Sequence, residues 1–114
     1  MAGWLSTHVL DTAHGVPAAG VKVMLYRVTG NSHKKIVEMV TNADGRTDRL
    51  LEGKAFTAGG YELVFCTGDH QRASGGEASF LDEIPVRFMV TDAEAHYHVP
   101  LLLSPFGYST YRGS

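Results

Sequence analysis

A chain of 114 residues is the size of one folded unit, expected here over residues 1–114, and two independent cores do not fit within it. Hydrophobic residues make up 44% and charged residues 19%, which excludes a disordered chain. The net charge of -2 supplies neither the basic face that nucleic acid needs nor a polybasic membrane anchor, so no nucleic-acid or membrane partner is expected. Cys66 is the one cysteine, which rules out an intrachain disulfide framework and a cysteine-rich zinc module. No apolar run approaches the roughly 18 residues of a membrane-spanning helix. Met1-Ala2-Gly3-Trp4-Leu5 lacks the basic-then-apolar layout of a secretory leader, and the expected compartment is the cytoplasm.

Along the chain, apolar residues recur with a period of two. Leu5–Asp11 is rich in β-formers; Val21, Val23 and Leu25 alternate with Lys22, Met24 and Tyr26; Ile36–Thr41 is less regular. Tyr61, Leu63 and Phe65 alternate with Glu62, Val64 and Cys66, and Ile84, Val86, Phe88 and Val90 alternate with Pro85, Arg87 and Met89. Tyr97, Val99, Leu101 and Leu103 alternate with His96, His98, Pro100 and Leu102. Such alternation predicts half-buried strands, because successive side chains point to opposite sheet faces. Turn residues punctuate the runs at Gly15-Val16-Pro17, Thr29-Gly30-Asn31-Ser32, Asn42-Ala43-Asp44-Gly45, Ala58-Gly59-Gly60 and Ser104-Pro105-Phe106-Gly107. Asp44-Gly45 is a hairpin-turn signal. Gly68–Gly75 breaks the pattern: Asp69 stands at a cap-like position before one or two turns of helix that end at Gly75-Gly76. The pattern predicts an all-β sandwich or barrel of about eight strands, with one short helix between the fifth and sixth.

Four places carry candidate chemistry. His8 shares a strand face with Ser6 and Leu10. Arg46 follows the Asp44-Gly45 turn, and its planar donor fork suits a planar heterocycle with carbonyl or ring-nitrogen acceptors. His96 and His98 lie on one strand face about 6–7 Å apart, opposite the core-facing Tyr97, Val99 and Leu101. That spacing suits zinc only if a third ligand such as His8 joins it, whereas a general acid–base role for His98 needs no metal. The tail Tyr108–Ser114 continues a β-like, aromatic-rich run almost to the final residue, which places Tyr111 and Arg112 near a fixed surface. His14 and His33 beside turns read as solvated, His70 falls in the helix, and Cys66, with no acid–base partner nearby, reads as structural.

Taken in order, these segments resemble the transthyretin-like family. The matching stretches are His8-Val9-Leu10-Asp11-Thr12-Ala13 with Gly15-Val16-Pro17-Ala18, Thr41-Asn42-Ala43-Asp44-Gly45-Arg46, and His96-Tyr97-His98-Val99-Pro100-Leu101-Leu102-Leu103-Ser104-Pro105. The ending Tyr111-Arg112-Gly113-Ser114 resembles the signature tetrapeptide of the family's enzymatic branch, the 5-hydroxyisourate hydrolases. The resemblance implies a sandwich of two four-stranded sheets with a short helix. It further implies a homotetramer, a dimer of dimers, with active sites in a channel between dimers, a small-molecule substrate and no cofactor or metal. It carries His8, Arg46, His98 and Ser114 over as catalytic residues, and His8, Arg46 and Tyr111 as substrate-binding residues. Arg112 is expected to anchor the tail. The competing expectation is a carrier of a small aromatic ligand on the same fold, without catalysis.

Overall fold

The computed structural model describes residues 2–73 and 80–113. Its strands are β1 (Trp4–Asp11), β2 (Val16–Pro17), β3 (Lys22–Thr29), β4 (Ser32–Val40), β5 (Leu51–Glu52), β6 (Gly59–Cys66), β7 (Glu83–Val90), β8 (His96–Ser104) and β9 (Gly107–Thr110). One helix, α1 (Thr67–Ala73), follows β6. The strands form two sheets. The first runs β2-β1-β8-β9 with β5 also on β1, and the second runs β4-β3-β6-β7. This is the predicted two-sheet architecture with its short helix. The count differs because β5, two residues long, adds a fifth strand to the first sheet and moves the helix to between β6 and β7. Nothing in the two residues of β5 alternates, so periodicity could not reveal them.

The alternating runs face as the pattern dictates. Leu5, Val9, Leu101 and Leu103 of the first sheet and Val23, Leu25, Tyr61, Leu63, Phe65, Ile84 and Val90 of the second are buried in one core. Between them, Thr7 is buried and donates through Oγ1 to the Val99 carbonyl at 2.7 Å, which removes the cost of a lone polar group in the core. The edge strand β4 is exposed over most of its length, which explains why its sequence alternates poorly.

Three local expectations change. Asp44-Gly45 forms a turn, with the Gly45 amide donating to the Asn42 carbonyl at 2.9 Å, but it closes no hairpin. It carries the chain from β4 in one sheet to the outer edge of β1 in the other, where Leu50 N–H donates to the Leu5 carbonyl at 2.9 Å. Helix α1 begins at Thr67, so Asp69 lies in its first turn rather than at its cap, while the expected end at Gly75-Gly76 lies outside the described residues. His33 is not simply solvated: within β4, its Nε2 stands 2.8 Å from Arg87 Nη2 and 3.8 Å from Glu62 Oε1. Cys66 is buried, and burial pushes its thiol up, as suits a structural residue. Among the described residues no helix is long and apolar enough to cross a membrane.

Candidate active site

Strands β1 and β8 run parallel and in register, pairing Trp4 with His96, Ser6 with His98 and His8 with Pro100. Because side chains alternate, Trp4, Ser6, His8, His96 and His98 all emerge on the face away from the core, each of them half-buried. The two histidines of β8 are tied together through β1. Ser6 Oγ lies 2.7 Å from His96 Nε2 and 2.8 Å from His98 Nδ1. The His96 ring stacks on Trp4 at 4.3 Å between ring centres, and the Arg49 guanidinium sits 4.2 Å over the Trp4 ring.

Arg46 reaches the same face from the other edge of β1. Asn42 Oδ1 accepts from the amides of Asp44 and Arg46 at 2.9 and 3.1 Å, an Asx arrangement that fixes the turn. Val9 N–H then donates to the Gly45 carbonyl at 2.8 Å, and His8 and Arg46 form an antiparallel bridge. His8 Nε2 lies 2.8 Å from the Asp44 carbonyl oxygen. A carbonyl only accepts, so His8 Nε2 carries the proton and, in the neutral ring, Nδ1 is the bare nitrogen. Gly45 is required twice over at this crossing. Its φ is +75, and a Cβ there would stand 2.4 Å from the Val9 carbonyl oxygen.

The tail meets the other side of β8. Gly113 N–H donates to the His98 carbonyl at 2.7 Å, and a Cβ on Gly113 would fall 2.6 Å from His98 Cδ2, so only glycine lies this close to the imidazole. The Arg112 guanidinium caps the Tyr97 ring at 3.9 Å, and its Nη2 donates to the His96 carbonyl at 3.4 Å. These contacts anchor the tail as expected of Arg112.

The electrostatics follow from this crowding. Burial pushes the His98 imidazole below its ordinary value of 6.5, and the Arg46 cation, His96 and His8 push it the same way. His96 is lowered too, by burial first and then by Arg49 and Arg112. Both rings are therefore neutral near pH 7. The His8–Arg46 bridge and the β1–β8 register bring together three residues that are far apart in sequence. Tyr111 lies elsewhere: it is 57% exposed and lines a groove with Val86, Phe88, Met89 and Val99 beside β7. Ser114 lies outside the described residues. Among the described residues no group of three histidine, cysteine or acidic side chains is placed to hold a metal ion. Sequence reasoning missed the bridging by Ser6 and the Trp4–Arg49 stack. Trp4 and Ser6 share the parity of His8, but their register against β8 is a tertiary fact.

A two-sheet sandwich whose outward face bears a neutral histidine pair beside an arginine defines the class. The HIUase/Transthyretin family profile matches residues 5–113, and the chain belongs to that family. A protein of Rhizobium meliloti (strain 1021) named 5-hydroxyisourate hydrolase 2 is 55% identical over 117 residues, covering 99% of this chain and 98% of its own. The structure of Klebsiella pneumoniae 5-hydroxyisourate hydrolase is similar with a TM-score of 0.85 and 38% identity, over 98% of this chain and 99% of that one. Transthyretin from Sparus aurata is similar with a TM-score of 0.88 and 31% identity, over 96% and 95%.

Replacing Gly45 by Ala tests the crossing that presents Arg46 to His8. A Cβ at positive φ adds about 1–2 kcal/mol of strain before the clash with Val9 is counted. Differential scanning calorimetry is expected to show a melting temperature lower by several degrees, whereas an unchanged value would mean that the turn reorganises freely.

Proposed function

We propose that this chain hydrolyses 5-hydroxyisourate, the substrate in the names of its relatives, and that the ring-opened product is 2-oxo-4-hydroxy-4-carboxy-5-ureidoimidazoline. The observation that carries the reading is that the β1–β8 register sets His8, bridged to Arg46, and a half-buried His98 on one outward sheet face. A neutral imidazole takes a proton from water as the water oxygen bonds to a ring carbonyl carbon. The carbonyl becomes an oxyanion, the amide C–N bond breaks as the carbonyl re-forms, and the proton passes from the imidazolium to the leaving nitrogen. Water is consumed, no oxidation state changes, and the product carries the new carboxyl group.

In this reading His98 is the base. Its Nδ1 is engaged by Ser6, which leaves Nε2 for the reacting water. His8 has committed Nε2–H to the Asp44 carbonyl, which suits a residue that orients substrate and offers Nδ1 as an acceptor. Arg46 is exposed, and its fork is free to pair with the planar ring and its developing charge. Ser114 and Tyr111 enter this reading only through the terminal signature, as a catalytic and a substrate-binding residue, and within the single chain Tyr111 lines the separate groove beside β7. The candidate face is open on one side, and a homotetramer in which a second copy covers it supplies the closed, water-poor channel that the chemistry favours. Sharing the fold with transthyretin leaves a non-catalytic carrier as the competing reading, which assigns no task to the neutral His98.

The test generates 5-hydroxyisourate from urate with urate oxidase and follows its ultraviolet absorbance with and without the protein. Decay well above the spontaneous rate is expected, and His98→Asn is expected to remove 100-fold or more of it while the protein stays folded. Decay at the spontaneous rate would leave the carrier reading.

The pH dependence has a definite sign. A base works only unprotonated, so kcat/KM falls as pH drops through the free-enzyme value of His98. Burial and Arg46 hold that value down, so the acid limb is expected below 6.5. A pH–rate profile with its midpoint at or above 6.5 would assign the limb to another group.

Arg46→Lys keeps the charge and loses the fork. Steady-state kinetics are expected to show kcat/KM lower by about tenfold or more, with little change in melting temperature because the side chain is exposed. Equal activity would mean that a point charge suffices.

A further inference from the structure

Ser6 stands between two imidazoles and has one proton to give. Its Oγ is 2.7 Å from His96 Nε2 and 2.8 Å from His98 Nδ1, both hydrogen-bonding distances. A hydroxyl donates once and accepts through its lone pairs, and each neutral imidazole carries a single N–H. The three groups can therefore satisfy both contacts in three ways. His98 Nδ1–H donates to Ser6 while Ser6 donates to His96 Nε2; or both rings donate to Ser6, whose own proton then turns away from the row; or His96 Nε2–H donates to Ser6 while Ser6 donates to His98 Nδ1.

The arrangements differ at the far nitrogen of His98. In the first two, Nε2 is a bare lone pair on the ring edge away from Ser6, and the first alone also gives the Ser6 proton an acceptor within the row. In the third, Nε2 holds the proton and the lone pair on Nδ1 is spent on Ser6, so the ring has no free site for a proton from water. Taking a proton in the first arrangement disturbs nothing, because Nδ1–H keeps Ser6 as its acceptor throughout. His96 completes the row, and it is itself held in place by the Trp4 ring at 4.3 Å and by Arg49 beyond it.

We propose that Ser6 is a positioning residue for the hydrolysis: it accepts from His98 Nδ1–H, donates to His96 Nε2, and so holds His98 in the one tautomer that presents a bare Nε2. His96 is the anchor of that row and does not touch the substrate. The proposal rests on the hydrolase reading for its catalytic consequence, while the tautomer itself is a property of the unliganded protein. The row lies on the outward face of β1 and β8, and its members pair across the sheet as Trp4 with His96 and Ser6 with His98, so the parallel register alone brings them together.

The test has two arms. Nitrogen-15 NMR of the histidine rings in the full chain, near neutral pH and without substrate, is expected to show His98 protonated at Nδ1 and bare at Nε2. His98 protonated at Nε2 overturns the proposal whatever the activity. In the urate oxidase-coupled decay assay, Ser6→Ala is expected to lower kcat about tenfold or more with KM changed less than twofold, because orientation is lost while binding is kept. Its NMR spectrum is expected to lose the single His98 tautomer. Ser6→Thr restores the hydroxyl on a residue suited to a strand and is expected to recover most of kcat. Ser6→Ala with wild-type kcat and an unchanged tautomer overturns the role. Should Ser6→Ala fail to fold by circular dichroism and sizing, the NMR of the unmodified protein and the Ser6→Thr kinetics still decide. Absence of turnover in the unmodified protein removes the hydrolase reading and with it the catalytic role, leaving the tautomer as a separate result.

Discussion

The parallel, in-register pairing of β1 with β8 is the constraint on which both the core and the candidate site depend. One ladder, from Trp4 with His96 to Asp11 with Leu103, sets two faces at once. Inward it stacks Leu5, Val9, Tyr97, Leu101 and Leu103, all buried in the common core. Outward it aligns Trp4, Ser6, His8, His96 and His98. A slip by one residue would exchange the faces, burying imidazoles and exposing leucines. Apolar burial on one side therefore fixes the polar geometry on the other to the accuracy of a hydrogen bond. The histidine row needs no loop to place it, and strands hold catalytic geometry more tightly than loops do.

That ladder has two outer neighbours, and each supplies something the face lacks. Beyond β1 the chain between β4 and β5 runs along its free edge, held by Gly45 to Val9 and by Leu50 to Leu5, and brings a guanidinium beside His8. Beyond β8 the tail brings Gly113 onto His98. Both close approaches require the absence of a side chain, Gly45 against the Val9 carbonyl and Gly113 against the His98 ring. Partial burial of the ring and then the cation from one side both disfavour the charged imidazole. A histidine kept neutral beside an arginine loses some proton affinity but remains unprotonated at neutral pH, which is the form a base must have.

Period-two alternation was enough to read the sheets, because an amphipathic strand writes its burial directly into the sequence: Tyr97, Val99 and Leu101 inward and His96 and His98 outward need no tertiary knowledge. The edge strand β4, exposed for most of its length, and the two-residue β2 and β5 leave weak traces for the same reason, since they bury little. Asp44-Gly45 was legible as a turn but not as a crossing between sheets, because turn chemistry is local and the identity of the next pairing partner is not. Family resemblance supplied what periodicity could not, the grouping of His8, Arg46 and His98. It passed over Ser6 and Trp4, whose importance comes from which β8 residues they face.

The same reasoning separates the two histidines that sequence treated alike. His8 and His98 are both outward-facing strand residues, yet their ring nitrogens have different partners. His8 Nε2 points at a backbone carbonyl, an acceptor that can never donate, so its proton is fixed there by the fold. His98 Nδ1 points at a hydroxyl, which accepts or donates according to what lies behind it. Behind Ser6 lies His96, stacked on Trp4, and so the state of His98 depends on an imidazole two residues away that lies outside the His8–Arg46–His98 convergence. A backbone partner makes one tautomer permanent, whereas a side-chain partner makes it conditional on its neighbours. Within a single sheet face the fold holds one imidazole rigidly and the other through a relay, and the proposed roles of orienting residue for His8 and base for His98 rest on that division.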